Sequence, residues 1–132
     1  MNNEKITLIS YRLSQSKESM KEAETLLVGG MSFRSVMNRL YYSMFYVVLA
    51  LLSLKGLSSS KHFGIISLFD KEFIKTGIFE KELSKALHRA FELRQIGDYL
   101  EQKDITQEDI DEIKPAAQNF VDKYEKYIVK NI

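Results

Sequence analysis

The residue run 39–54, RLYYSMFYVVLALLSL, constrains the fold more than any other part of the chain. No charged residue follows Arg39 until Lys55, and no turn residue interrupts the run. Its length therefore favours a helix over a pair of buried strands. Because the run is apolar on all sides, we expect a central helix that is wrapped by the other helices or by a second copy of the chain. A membrane span is the alternative, but the run is shorter than the roughly 20 apolar residues that a span needs.

The chain as a whole has the size of one domain, residues 1–132, which is large enough to bury a core. It contains no cysteine, which excludes a disulfide framework, a thiol nucleophile and a zinc–thiolate site. The 19 basic and 18 acidic residues nearly balance, so nucleic-acid binding would need a local basic patch. The first ten residues lack the apolar core of a signal peptide, and we expect a cytoplasmic protein with no membrane contact.

Hydrophobic periodicity predicts further helices on both sides of the central one. The first covers about residues 5–28 and is ended by the glycines at 29–30. Ser32 is a suitable N-cap for the central helix, which then covers about residues 33–55. A shorter helix is expected over about residues 62–75.

Two long helices are predicted in the C-terminal half. One covers about residues 79–102, and the other covers about residues 107–129 with Thr106 at its start. Pro115 lies inside the last pattern and should kink that helix or mark a restart near Lys114. No segment alternates with a period of two. The predicted fold is an all-α, up-and-down bundle of four long helices plus one shorter helix.

Arg94 is the charged residue that this pattern singles out. It continues the apolar stripe formed by Leu83, Leu87 and Ala90. An arginine that faces inward needs a partner, because an unpaired buried charge is costly. In a structural hypothesis, Asp98 lies one turn further on, pairs with Arg94 and locks this helix against the central one. In a functional hypothesis, the planar guanidinium of Arg94 faces a cleft and binds phosphate.

Arg39 begins the aromatic helix, with Tyr42 and Tyr46 further along its face. It can be a helix-end arginine whose stem packs on tyrosine while its head is solvated. Arginine beside exposed aromatic rings is also what single-stranded RNA contacts use. The sequence leaves both interpretations open.

The two histidines, His62 and His88, have no second ligand three or four residues away, so we expect no metal site. We expect His88 to be exposed on the charged side of its helix. His62 is expected to form a cap or a hydrogen bond across the bundle, and general acid–base chemistry is the alternative. There is no nucleophile elbow and no glycine-rich phosphate loop, so no cofactor is expected.

Four segments carry a family resemblance. Residues 23–33 fit A-x-x-L-L-x-x-G followed by an aromatic residue, and residues 39–45 fit R-x-Y-Y-A-x-F with serine for alanine. Residues 61–64 fit K-H-x-G, and residues 94–99 fit R-x-x-x-D-Y. In this order they resemble the HEPN domain family (higher eukaryotes and prokaryotes nucleotide-binding), and more closely its small stand-alone prokaryotic branch. The resemblance covers about residues 11–126.

The resemblance implies a bundle of four or five helices, usually a homodimer, in toxin–antitoxin, defence or stress systems. Many such relatives are encoded beside a minimal nucleotidyltransferase. Active relatives are metal-independent endoribonucleases that use an arginine, a polar residue, three variable residues and a histidine. Arg94 and Gln95 match the start of that motif, but Tyr99 stands at the histidine position. A tyrosine with an ordinary pKa of about 10 is a poor base at pH 7.

The sequence therefore predicts a HEPN-like homodimer with a binding cleft. The expected cleft residues are Arg39, Tyr42, His62, Arg94, Gln95, Asp98 and Tyr99. The first functional hypothesis is a non-catalytic component that binds RNA, a nucleotide or a nucleotidyltransferase partner. The first alternative is a divergent ribonuclease that uses Arg94 as a catalytic residue. The second is a purely structural dimer in which Arg94 is fully buried against Asp98.

Overall fold

The computed structural model is all-α and describes residues 2–99 and 104–132, without the side chains of residues 97–99. Within these residues there is no β-strand, which confirms the predicted fold class. Five helices follow one another along the chain: α1 (Asn3–Val28), α2 (Phe33–Leu54), α3 (His62–Phe69), α4 (Lys81–Tyr99) and α5 (Gln107–Lys130). A π-helical turn, Asp70–Ile74, extends α3, so that the predicted third helix has two parts.

Local sequence signals set the helix ends. Gly30 follows α1 with a positive φ of 70°, a backbone conformation that is cheap only for glycine. The side chain of Ser32 accepts a hydrogen bond from the backbone N–H of Ser35 and caps α2, as predicted. Thr106 and Asp109 form a reciprocal capping box at the start of α5. These caps confirm the predicted helix starts at residues 33 and 107.

Helix α2 lies at the centre and packs against all four other helices. It runs antiparallel to α1, since Lys5 Nζ near the start of α1 donates to the carbonyl of Leu54 at the end of α2. Small side chains let these two helices approach closely. The buried Ser16 donates through its hydroxyl to the carbonyl of Ser43 at 2.6 Å.

Neighbouring helices of the same chain cover nearly all of α2. Every apolar side chain between residues 36 and 52 is buried except Tyr42, Tyr46 and Leu49, which are half-buried. Of the two arrangements expected from the sequence, the structure shows wrapping by the other helices of the chain, because α1, α3, α4 and α5 together enclose α2. The homodimer itself stays a prediction.

The same helix is the one segment among the described residues that is long and apolar enough to cross a membrane, with a mean hydropathy of 1.3. Within the fold, 67% of that stretch is buried. Such burial is typical of the core helix of a bundle.

Helix α5 continues through Pro115 without interruption, so the predicted restart near Lys114 is wrong. Pro115 is exposed, and the carbonyl of Asp111 that loses its helical partner is on an exposed residue where water can bond it. Ile113 and Ala117 on either side of the proline are buried, and their packing keeps the helix continuous.

The π-helical turn carries a polar contact that the sequence did not reveal. Asp70 Oδ2 lies 2.6 Å from Nε2 of His88, and its other oxygen accepts a hydrogen bond from Ser84. His88 is exposed, as predicted, but it ties the turn to α4. π-Helical turns shift the register of the residues that follow, so a plain helical projection does not place Asp70 here.

Candidate functional site

The candidate site is built on consecutive aromatic residues in the first half of α2. The ring of Tyr41 is fully buried, whereas that of Tyr42 is half-buried. Their centroids are 5.2 Å apart with the rings edge to face, and Phe45 stacks on Tyr41 at 5.6 Å. Edge-to-face and offset contacts are the favoured geometries of aromatic pairs. These three rings form a rigid aromatic layer, which we call the aromatic floor. One of them, the ring of Tyr42, lies at the surface.

His62, the first residue of α3, packs onto this floor. Its ring stacks on Phe45 with centroids 4.2 Å apart, and its Nδ1 is 3.2 Å from the Tyr41 hydroxyl, a hydrogen bond across the bundle. The hydrogen bond that the sequence led us to expect is therefore confirmed. A Cβ at Gly64 would collide with the side chain of Ser59, so the glycine lets the preceding loop fold against the first turn of α3.

Burial and the nearby Arg94 charge shift the ionisation of this histidine. Loss of solvent lowers the pKa of His62 below its usual value of 6.5, and the positive charge of Arg94 lowers the pKa further. Burial raises the pKa of Tyr41 well above its ordinary value, against the opposing effect of Arg94. At neutral pH the imidazole is therefore uncharged and the phenol keeps its proton.

Arg94 reaches the same two tyrosines from α4. Its guanidinium carbon is 5.3 Å from the ring centroid of Tyr41 and 5.1 Å from that of Tyr42. Both distances are within the range of cation–π attraction. The residue is half-buried in the single chain, and the structural dimer with a fully buried Arg94 stays a prediction. Phe91, one turn earlier on α4, packs on Tyr41 at 5.8 Å.

Arg39 reaches Tyr42 from the same helix, and its guanidinium carbon is 5.1 Å from the ring centroid. The guanidinium is oriented by Asn38, whose Oδ1 accepts two hydrogen bonds, and it lies 3.6 Å from Glu22 of α1. The Arg39 side chain is 27% exposed. It borders a groove of about 340 Å³ that is also lined by Arg34.

One ring therefore carries two guanidinium groups at the protein surface. We call Arg39, Tyr42, His62 and Arg94, with Tyr41 and Phe45 beneath them, the Tyr42 site. The arrangement offers two fixed cations, a neutral imidazole and an aromatic face to an anionic or aromatic ligand. In the part of the chain that the structure describes, no three His, Cys, Asp or Glu side chains are grouped as metal ligands.

Four of the predicted cleft residues thus meet: Arg39, Tyr42, His62 and Arg94. Gln95 is exposed and, among the described residues, makes no hydrogen bond with the others. The side chains of Asp98 and Tyr99, and with them the predicted Arg94–Asp98 ion pair, lie outside the described residues. The sequence did not identify Tyr41 as a member of the site. A buried hydroxyl in an apolar run does, however, indicate that a polar partner is present.

Comparison with known proteins shows the family of the chain. The family model described as "HEPN domain" matches residues 9–127. The chain belongs to the HEPN domain family. A "UPF0332 protein" of Thermotoga maritima is 42% identical over 126 residues, which are 96% of this chain and 95% of that protein.

Two further relatives of this HEPN chain come from Methanocaldococcus jannaschii, and the names of both contain the word toxin. "Putative toxin MJ0142" is 35% identical across 92% of this chain and 83% of its own length. "Putative toxin MJ0605" is 31% identical across 86% of this chain and 84% of its own length. The HEPN family is thus shown, together with relatives that are named as toxins.

Three of the HEPN motifs of the sequence contribute residues to the Tyr42 site. The R-x-Y-Y-S-x-F segment supplies Arg39 and the aromatic floor, the K-H-x-G segment supplies His62, and the R-x-x-x-D-Y segment supplies Arg94. Three segments that are distant in the chain therefore converge on one ring, that of Tyr42.

Proposed function

We propose that this HEPN protein binds RNA or a nucleotide through the Tyr42 site, as a non-catalytic component of a toxin–antitoxin or defence system. The observation that carries the proposal is the pair of guanidinium groups, each 5.1 Å from the ring of Tyr42. Arginine forks suit phosphate oxygens, and exposed aromatic rings suit unstacked bases. The overall charge of +1 supplies no general attraction, so affinity has to come from this local cluster.

A non-catalytic role is supported by Tyr99 at the position where the family motif has histidine. A homodimer and a minimal nucleotidyltransferase partner are further parts of this proposal, taken from the family resemblance. The half-buried side chains Tyr46 and Leu49 on α2 are the surface that a second copy would cover beside the site. A molar mass in solution that stays that of one chain at all concentrations would reject the homodimer.

The test is the affinity for a labelled single-stranded RNA, with Arg39→Gln compared with Arg12→Gln. Arg12 is a matched control because its guanidinium also lies over a tyrosine, at 5.8 Å from the ring of Tyr11, but on α1 and outside the Tyr42 site. We expect Arg39→Gln to weaken binding and Arg12→Gln to leave it unchanged. An equal effect of both substitutions, or no binding by the wild type, would reject the proposal.

Cleavage of RNA is a second candidate function, and the placement of His62 favours it. His62 and Arg94 both contact the rings of Tyr41 and Tyr42. The lowered pKa of His62 keeps its imidazole neutral and able to accept a proton at pH 7. In this reaction His62 takes the proton of a ribose 2′-hydroxyl, and the oxygen forms a bond to phosphorus. The bond from phosphorus to the 5′-oxygen breaks, and that oxygen takes a proton from water while Arg94 balances the phosphate charge.

The two candidates are separated by product analysis in the presence of EDTA. Cleavage that persists in EDTA and disappears in His62→Asn, but not in His88→Gln, would support the ribonuclease. His88 is the matched control because it is the other histidine of the chain and contacts Asp70 instead of the site. RNA that is bound and remains intact would support the binding protein, and neither signal would favour the structural dimer.

A further inference from the structure

Phe63 is an exposed aromatic residue directly beside the Tyr42 site. Its side chain is 66% exposed, whereas its neighbour His62 packs on Phe45 and Tyr41. Among the residues that the structure describes, no aromatic ring lies against that of Phe63. The bundle therefore gains little packing from this side chain, which is free to contact a ligand.

The backbone fixes Phe63 at this position. Phe63 lies in the first turn of α3. The side chain of Ser59, in the loop before α3, packs closely against Gly64 in the same turn. The Ser59 hydroxyl also accepts a hydrogen bond from the backbone N–H of Lys61 at 3.4 Å. A ring on an ordered turn loses little conformational freedom when a ligand stacks on it.

The surroundings of Phe63 are electropositive. From residue 56 to residue 69 the sequence contains Lys61 but no aspartate or glutamate. Arg94 lies close enough to His62 for its charge to lower the pKa of that imidazole. Charge complementarity therefore favours an anionic ligand with an aromatic part, which is the chemistry of a nucleotide unit.

We infer that Phe63 is a base-stacking subsite for single-stranded RNA whose phosphates contact Arg94 and Arg39. The inference rests on the proposed RNA-binding function and extends it, because it states where a base lies and which ring it stacks on. His62 and Phe63 are consecutive, with Cα atoms about 3.8 Å apart, so neighbouring parts of one strand can contact both. Stacking on Phe63 adds affinity for any base, since every base has a π-face.

The chain contains no tryptophan, so Phe63→Trp introduces a single fluorescent reporter at the subsite. We expect its emission to be quenched when an adenylate oligomer of about ten nucleotides is added. The matched control is Tyr11→Trp on α1, where the native ring is 57% exposed, and no quenching is expected there. Inorganic polyphosphate, an anion without bases, should compete for the site without quenching Phe63→Trp.

Affinity gives the second readout. We expect Phe63→Ala to weaken RNA binding by about 5- to 100-fold, and Tyr11→Ala to leave it unchanged. If the wild type binds RNA and Arg39→Gln weakens it, but Phe63→Ala and Phe63→Trp show no effect, the subsite is rejected and the proposed function stands. A wild type that binds no RNA rejects both. A Phe63→Ala protein that loses self-association but keeps its RNA affinity makes Phe63 a protein contact and also rejects the subsite.

Discussion

Two aromatic clusters of this bundle are built from the same residue types but have different surroundings. The Tyr42 site combines aromatic rings with two arginines and a histidine, and its outer ring is half-buried. The second cluster, which we call the α5 aromatic cluster, joins the end of α3, the π-helical turn and α5. Its members are Phe69, Phe73, Phe79, Phe120, Tyr124 and Tyr127.

The hydroxyl groups of two buried tyrosines show the difference most clearly. The Tyr41 hydroxyl shares a hydrogen bond with His62. The Tyr124 hydroxyl is buried, and no described group lies within hydrogen-bond distance of it. Burial raises the pKa of both phenols. Aromatic packing alone therefore does not indicate function, and the polar groups gathered around the rings distinguish a candidate site from core.

The largest expected effect comes from a cavity in the α5 aromatic cluster. Phe120 is fully buried, with its ring 4.6 Å from that of Tyr124 and 5.7 Å from that of Phe69. We expect Phe120→Ala to lower the free energy of unfolding by about 3–5 kcal/mol. Tyr42→Ala, at a half-buried position, should cost only about 1–2 kcal/mol. Urea unfolding measures both, and equal costs would show that the Tyr42 site is ordinary core.

Removal of a tyrosine hydroxyl should have a smaller effect on the free energy of unfolding. The sign of that effect should differ between the two clusters. Tyr41→Phe breaks the hydrogen bond to His62 and should destabilise the fold by about 1 kcal/mol. Tyr124→Phe removes a buried hydroxyl without a described partner, and should be neutral or stabilise by up to about 1 kcal/mol. Thermal unfolding of the two variants provides the comparison. Destabilisation of similar size in both would mean that Tyr124 has a polar partner in solution.

Much of the fold could be predicted from the sequence because its signals are local. Ser32 and Thr106 cap the helices that they precede, Asp109 completes the capping box from within α5, and the apolar run made α2 the central helix. The contacts of the site depend instead on how α3 and α4 lie across α2. Nothing local in the sequence brings His62 to Tyr41, or sets the exposure of Arg94.

The smallest predicted effect is a pH dependence that arises at His62. Burial and the Arg94 charge lower the folded-state pKa of His62, and the ring also faces Tyr41 and Tyr42. The unfolded chain therefore takes up a proton first as the pH falls. The stabilisation is complete above about pH 6.5 and declines as the pH drops towards the lowered pKa.

Melting temperatures from about pH 7.5 to about pH 5 test this sign. The wild type should lose more stability on acidification than His62→Asn, and His88→Gln is the control substitution at the other histidine. A wild type that becomes more stable relative to His62→Asn as the pH falls would contradict the lowered pKa. It would indicate that the imidazole gains an acidic partner when it is charged.

The central claim is that two arginines on one tyrosine make an RNA-binding site, and the salt dependence of RNA affinity tests it most directly. Wild type, Arg94→Gln and Arg89→Gln are compared, because Arg89 lies on the same helix but pairs with Glu92, Asp109 and Glu112 on the opposite side. For Arg94→Gln we expect weaker binding and a slope of log affinity against log salt that is smaller by about 0.7. Arg89→Gln should match the wild type. Equal slopes for all three folded proteins would contradict the account.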